Sequence, residues 1–202
     1  MADTAQSPFS DPKEEMIAAA EVLLAIGGPQ KTTVRAITQA AGVNVGAINY
    51  HFGSRDGLMT LICNRHMHPA NERILADLQT LEFAVGPEAV REIFRPLVVT
   101  ALTVWRNDDV LKGLRNFMFV DAALAQKLNV SSMSQVYEQM QDALGEACPG
   151  LTPGDVRRRF RFAMATIMHV VRSHDGNVKE MQDDGMVEDL LGFLTGGFTY
   201  QS

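Results

Sequence analysis

The stretch AGVNVGAINYHFGSRDGL, residues 41–58, decides how the rest of the chain is read. Small residues run from Ala41 to Ile48, and Asn49-Tyr50-His51-Phe52 then gathers polar and aromatic groups into one turn before Gly53. Upstream, Thr33 is a natural cap for a short helix over 34–41 that ends at Gly42. Asn44 can cap a second short helix reaching Phe52, and Ser54 a further one with Asp56 favourably placed in its first turn. Two helices of about two turns joined at a glycine make a helix-turn-helix pattern. Ile37, Ala41, Val43, Ile48 and Phe52 are the apolar positions that would pack the pair together and onto the helix before it.

That preceding helix is announced by Asp11 as N-cap, Pro12 at the first helical position and Glu14 at the capping-box position. Met16, Ala19, Ala20, Leu23 and Leu24 recur on one helix face, and Gly27-Gly28-Pro29 predicts a stop near residue 26. Residues 1–10 read as a disordered tail. Helical periodicity continues beyond Ser54 to Leu81, but Pro69 removes a backbone donor and predicts a kink or break that could serve as a hinge. From Gly86 onward the pattern predicts helices near 87–106, 108–128, 131–147, 153–173 and 185–199, with no alternating strand pattern and no repeat. The fold class is all-α. An N-terminal helix-turn-helix domain over 11–65 precedes a helical domain over 66–202.

Of the 202 residues 46% are apolar, enough for a sizeable core, with Ala, Leu, Val and Met favouring helices. Two cysteines, Cys63 and Cys148, point to a reducing compartment. No apolar run approaches the roughly 20 residues a membrane span requires, and MADTAQSPFSDPKEE has no signal-peptide pattern. The expectation is a soluble cytoplasmic protein without membrane association. The net charge of −6 argues against a polyanion partner on average. Locally it does not: residues 31–65 hold Lys31, Arg35, Arg55 and Arg65 against Asp56 alone.

Over residues 33–58, TVRAITQAAGVNVGAINYHFGSRDGL resembles the helix-turn-helix signature of TetR-type transcriptional regulators. NYHFGSRDGL and HPANERIL also resemble the fatty-acid-responsive branch of that family. The resemblance implies a homodimeric, ligand-responsive regulator, most simply a repressor, with a palindromic DNA operator and a small apolar or amphipathic effector as partners. It further implies phosphate contacts from Thr33, Tyr50, His51 and Arg55, to which Arg35 can add. Val45, Gly46 and Ala47 are small enough to let the recognition helix approach the major groove closely. Asn49 can pair bidentately with adenine. Two positions depart from the family pattern. Thr38 stands where the family usually has Ala, so its hydroxyl must bond back to the preceding turn or disturb close packing. Asn49 stands where an aromatic is frequent.

The last two predicted helices carry broad apolar stripes that suit pairing with their symmetry mates in a homodimer. Trp105, Arg115, Phe117, Met118, Phe160, Met164 and His169 are candidates for an effector pocket, each of them equally readable as core. Arg157, Arg158, Arg159 and Arg161 read as a solvated or salt-bridged face. Cys63, His66 and His68 lack the spacing of a metal set. No catalytic arrangement, cofactor motif or metal site is expected, and the chain does not read as an enzyme. Two other classes stay open: a small-molecule-binding protein with a silent helix-turn-helix, and a helical enzyme built around Cys63–His68.

Overall fold

The computed structural model describes residues 11–81, 85–118, 122–173 and 184–200, with no strand among them. Side chains at 105–106, 115–118, 122–132, 172–173 and 184 lie outside the description. The described helices are α1 (Pro12–Lys31), α2 (Val34–Ala40), α3 (Gly46–Phe52), α4 (Arg55–Thr80), α5 (Pro87–Asn107), α6 (Asp109–Met118), α7 (Ala122–Ala147), α8 (Pro153–Ser173) and α9 (Asp184–Thr199). The chain divides into two compact units, Met1–Asn64 with Asp109–Leu128 and Arg65–Asp108 with Asn129–Ser202. The division falls inside α4, after Asn64, and the first unit takes in α6, which the sequence pattern assigns to the second domain.

In the first unit, α1 begins as its capping residues require. The Asp11 carboxylate accepts from the Lys13 N–H at 2.9 Å, and Met16, Ile17, Ala20 and Leu24 are buried. The expected stop near residue 26 takes the form of an interruption. Gly28 leaves the helical region (φ 63°, ψ −172°), after which the helix resumes to Lys31. Thr32, fully buried, ties the interruption down by donating its hydroxyl to the Gly28 carbonyl at 2.8 Å. Helix α6 packs along α1 at backbone distance. A Cβ added at Gly113 would overlap the Leu24 carbonyl oxygen, and the Gly28 backbone lies beside it.

The second unit is built on an aromatic chain. The Tyr137 ring lies 5.3 Å from Phe160, Phe160 stacks on Phe94 at 6.3 Å, and Phe94 meets Phe198 edge-on at 5.6 Å. These four residues join α5, α7, α8 and α9. Helix α8 opens with a closed capping box, in which the Asp155 N–H donates to the Thr152 hydroxyl at 3.2 Å. That hydroxyl in turn donates to the Asp155 carboxylate at 2.6 Å. The Thr152 hydroxyl, with Arg158, holds the Asp155 carboxyl below its ordinary range. Of the arginine run, Arg157, Arg158 and Arg161 are exposed, Arg158 pairing with Asp155. Arg159 instead reaches the end of α9 and donates to the Phe198 and Tyr200 carbonyls, the latter at 2.8 Å. Helices α5 and α9 are joined by Glu188, which pairs with Arg91 and, at 2.6 Å, with Arg95.

At two expected interruptions the helix is not broken. Helix α4 runs unbroken through Pro69. Helix α7 runs through Asn129-Val130-Ser131, where the pattern predicts a break, because no glycine or proline stands there to enforce one. The expected loop around His174-Asp175-Gly176-Asn177 lies outside the described residues.

Replacing Gly113 by Ala should force α1 and α6 apart and cost about 1–3 kcal/mol in urea unfolding. Gly145→Ala, with nothing near its added Cβ, should cost nothing or stabilise by about 0.5–1 kcal/mol. A second expectation concerns acid. The Arg95 and Arg91 guanidinium groups hold the Glu188 carboxyl down at about 2, against an ordinary 4.5. Its tie is therefore at full strength above the ordinary value and fades as pH falls from about 4.5 towards 2. Glu188→Gln should lower the melting temperature at pH 6 and remove that part of the acid sensitivity, as read in melting curves between pH 2 and 6.

Candidate nucleic-acid interface

Helix α2 starts at Thr33, whose hydroxyl accepts from the Ala36 N–H at 3.1 Å. Its inner face holds Ile37, fully buried, and Thr38, 2% exposed. Burying the Thr38 hydroxyl is tolerable because it donates to the Val34 and Arg35 carbonyls at 3.0 and 3.2 Å, as the departure from Ala requires. The chain then turns through Gly42, whose φ of 67° suits a residue without a Cβ. The Val43 N–H donates to the Thr38 carbonyl at 3.0 Å, fixing the turn. Asn44 opens the next helix one residue early, its side-chain oxygen accepting from the Gly46 N–H and its carbonyl from the Ala47 N–H, both at 2.9 Å.

Helix α3 is only seven residues long and is held by Ile48, fully buried. It ends at Gly53 (φ 72°), whose N–H donates to the Asn49 carbonyl at 3.1 Å. Ser54 caps α4 by accepting from the Gly57 N–H at 3.0 Å. Gly57 is itself constrained, since a Cβ there would overlap the Phe52 carbonyl oxygen.

One side of α2 and α3 is left to solvent. Thr33, Arg35, Gly46 and Asn49 are exposed, Val45 is 58% exposed and Tyr50 86%. Ala47 and His51 are half-buried, and the Tyr50 and His51 rings meet edge-on at 4.9 Å. A tyrosine this exposed contributes almost nothing to the core, so its ring and hydroxyl are available to an outside surface.

Arg55 stands apart from the other expected contact residues. Half-buried, it donates from Nε to the Thr32 carbonyl at 2.7 Å and from Nη2 to the Pro29 carbonyl. Its guanidinium gathers the free carbonyls after the Gly28 interruption and fixes the start of α2 against the start of α4. Pairing with residues 23 and 26 positions away gave no signal in the sequence.

Three of the expected effector residues have described side chains. Phe160 belongs to the buried aromatic chain, Met164 is half-buried and His169 exposed. The side chains of Trp105, Arg115, Phe117 and Met118 lie outside the described residues. The second unit has a groove of about 580 Å³ between α4 and α5. Pro69, Ala70, Pro96 and Val99 line it with apolar surface, and Arg73, Asp77, Glu92 and Arg95 with charge. Cys63, His66 and His68 do not converge: Cys63 is buried, His66 pairs with Asp108 at 2.5 Å, and His68 is exposed beside Glu72.

Two short helices crossing at a glycine turn, on a buried Ile37–Ile48 base and with a polar outer face, define a helix-turn-helix DNA-binding domain. Residues 16–62 match the family model described as bacterial regulatory proteins, tetR family. The helix-turn-helix segment is thus similar to the DNA-binding domain of TetR-family regulators. Its fold is similar to that of the fatty acid degradation regulator FadR from Bacillus halodurans, at 18% identity and a TM-score of 0.67 over 96% of this chain and 100% of that one. A putative TetR-family regulator from Shewanella sp. PV-4 aligns with a TM-score of 0.70 at 14% identity, over 95% and 100% of the two chains. A TetR-family regulator from Streptomyces coelicolor aligns at 0.61 and 19% identity, over 93% and 97%. No curated protein matches the sequence. Among the described residues no helix is long and apolar enough to cross a membrane.

Arg55→Ala should destabilise the protein by about 1.5–3 kcal/mol, the worth of a charged hydrogen bond. Arg35→Ala, at an exposed position, should stay within about 0.5 kcal/mol of the parent. Thermal unfolding of the two variants side by side checks this; equal losses would contradict the anchoring role of Arg55.

Proposed function

We propose that the protein is a cytoplasmic repressor that binds a palindromic operator as a homodimer and is released by a small amphipathic effector. The observation that carries the reading is the exposed outer face of α2 and α3, with Asn49 and Tyr50 presented to solvent on a helix whose other side is buried. In this reading α3 enters the major groove, where Val45, Gly46 and Ala47 allow close approach and Asn49 reads a base edge. Thr33, Arg35, Tyr50 and His51 contact phosphates. Arg55 acts mainly by holding the two helix starts together, which is how it serves the interface.

Dimerisation is supported by α8 and α9, which leave Phe162 61% and Phe193 68% exposed beside the exposed Gly192 and Gly196. Large apolar side chains next to glycines suit a close, self-complementary helix pairing with a second copy. A dimer presents two recognition helices about one DNA turn apart. The effector site is best sought in the α4–α5 groove, whose size suits a small molecule. The Bacillus halodurans neighbour is named as a regulator of fatty acid degradation, so lipid-derived acids are the first effectors to try.

In-vitro selection of bound DNA tests the reading directly, a palindromic consensus being the expected result and sequence-indifferent binding the contrary one. On that operator, Tyr50→Ala should weaken binding to all sequences and flatten its salt dependence. Asn49→Ala should relax preference at one base position by about 1–3 kcal/mol. An unchanged salt slope or an unchanged preference profile would remove the corresponding contact.

A further inference from the structure

The α4–α5 groove differs in character from one end to the other. His66, the first residue of α4 to line it, meets Asp108 just past the end of α5, so the two helices run antiparallel along the groove. Towards that end Pro69, Ala70, Val99 and Val104 offer apolar surface. Towards the other stand Arg73 and Asp77 from α4, with Glu92 and Arg95 from α5. The groove is therefore amphipathic along its length, with its charges gathered in one place.

Two of those four charges are already neutralised, since Arg95 pairs with Glu92 at 3.1 Å and with Glu188 at 2.6 Å. Arg73 is exposed and Asp77 half-buried, and among the described residues neither side chain has an ion-pair or hydrogen-bond partner. They stand one helical turn apart, a spacing that puts Cβ atoms about 5–6 Å from each other. A cation followed four residues later by an acid is the less favourable order for pairing along a helix. Asp77 also lies in the last turn of α4, where the helix dipole disfavours an anion and favours a cation brought beside it. An uncompensated positive charge and an uncompensated negative one thus sit side by side on the groove wall.

We propose that the groove takes a zwitterionic amphiphile. The anionic part of its head lies on Arg73, the cationic part on Asp77, and its apolar chain runs towards Val99 and Val104. A head with a single negative charge meets Arg73 but also faces Asp77, and a single positive charge meets Asp77 but faces Arg73. A head that carries both charges answers both side chains. The inference rests on the α4–α5 groove being the effector site, as proposed above. It narrows lipid-derived acids to those that also carry a cationic nitrogen.

Isothermal titration of the full chain with three decyl amphiphiles, each below its micellar concentration, tests the assignment. The three are decanoate, decyltrimethylammonium and N-decyl-N,N-dimethylglycine, the last being the zwitterion. It should bind about fivefold more tightly than either singly charged compound, the upper worth of an exposed ion pair. Arg73→Met should bring it down to the level of decyltrimethylammonium, and Asp77→Asn to that of decanoate. Arg73→Lys, which keeps the charge, should retain the preference. Val99→Trp fills the apolar part of the groove and should abolish binding of all three, with circular dichroism confirming that each variant is folded. Equal binding of decanoate and the zwitterion, or a preference that survives both Arg73→Met and Asp77→Asn, overturns the proposal. If Val99→Trp still blocks binding in that case, the groove stands as the effector site and this inference alone falls. If no compound binds the parent, or binding survives Val99→Trp, the effector-site reading falls and this inference with it.

Discussion

Two helices can meet at backbone distance only where a side chain is missing, and in the first unit that place is Gly113. Its Cα faces the Leu24 carbonyl on α1, just before Gly28 interrupts that helix. The consequence is compositional as well as steric. Helix α6, which stands more than fifty residues beyond the recognition helix in sequence, belongs to the same compact unit as α1, α2 and α3. In the chain, α6 is joined to α5 through Asp108.

The helix-turn-helix itself is small, and its order comes from local satisfaction of polar groups more than from burial. Two fully buried isoleucines, Ile37 and Ile48, are most of its own core. Around them, Thr33, Thr38, Asn44 and Ser54 each give a side-chain oxygen to the backbone or place a hydroxyl on it. Helices of seven residues are too short to persist on propensity alone, so these caps and the contacts with α1 and α4 supply the difference. Arg55 completes the set by closing the carbonyls that the Gly28 interruption leaves open. With these groups satisfied internally, Asn49 and Tyr50 remain free to face outward.

The second unit follows a different logic. Its centre is the aromatic chain from Tyr137 to Phe198, and its charges are placed at helix ends and rims. Arg159 closes the last carbonyls of α9, a role favoured by the negative end of a helix. Arg95 is shared between Glu92 beside the groove and Glu188 on α9, at 3.1 and 2.6 Å. The hydrogen bond to Glu188 is the main reason its guanidinium is held above its ordinary pKa. One groove-lining side chain is thus already bound to α9.

Caps, turns and the helix-turn-helix were legible in residues 11–58, because each depends on side chains within a few positions of the backbone they satisfy. Asp11, Thr33, Gly42, Gly53 and Ser54 act where they stand, whatever the rest of the chain does. The back-bonding of Thr38 is of the same kind. The roles that stayed hidden all join residues distant in sequence. Arg55 was readable as a basic residue near DNA, but not as a clamp on carbonyls across an interruption in α1. Phe160 was readable as apolar, but its ring partners Phe94 and Tyr137 come from other helices and only packing named them. The α4–α5 groove and the His66–Asp108 contact at its end arise from two helices meeting along faces whose register no local pattern specifies. Short-range hydrogen bonding is written in neighbouring residues, whereas the spaces between helices exist only once the helices have packed.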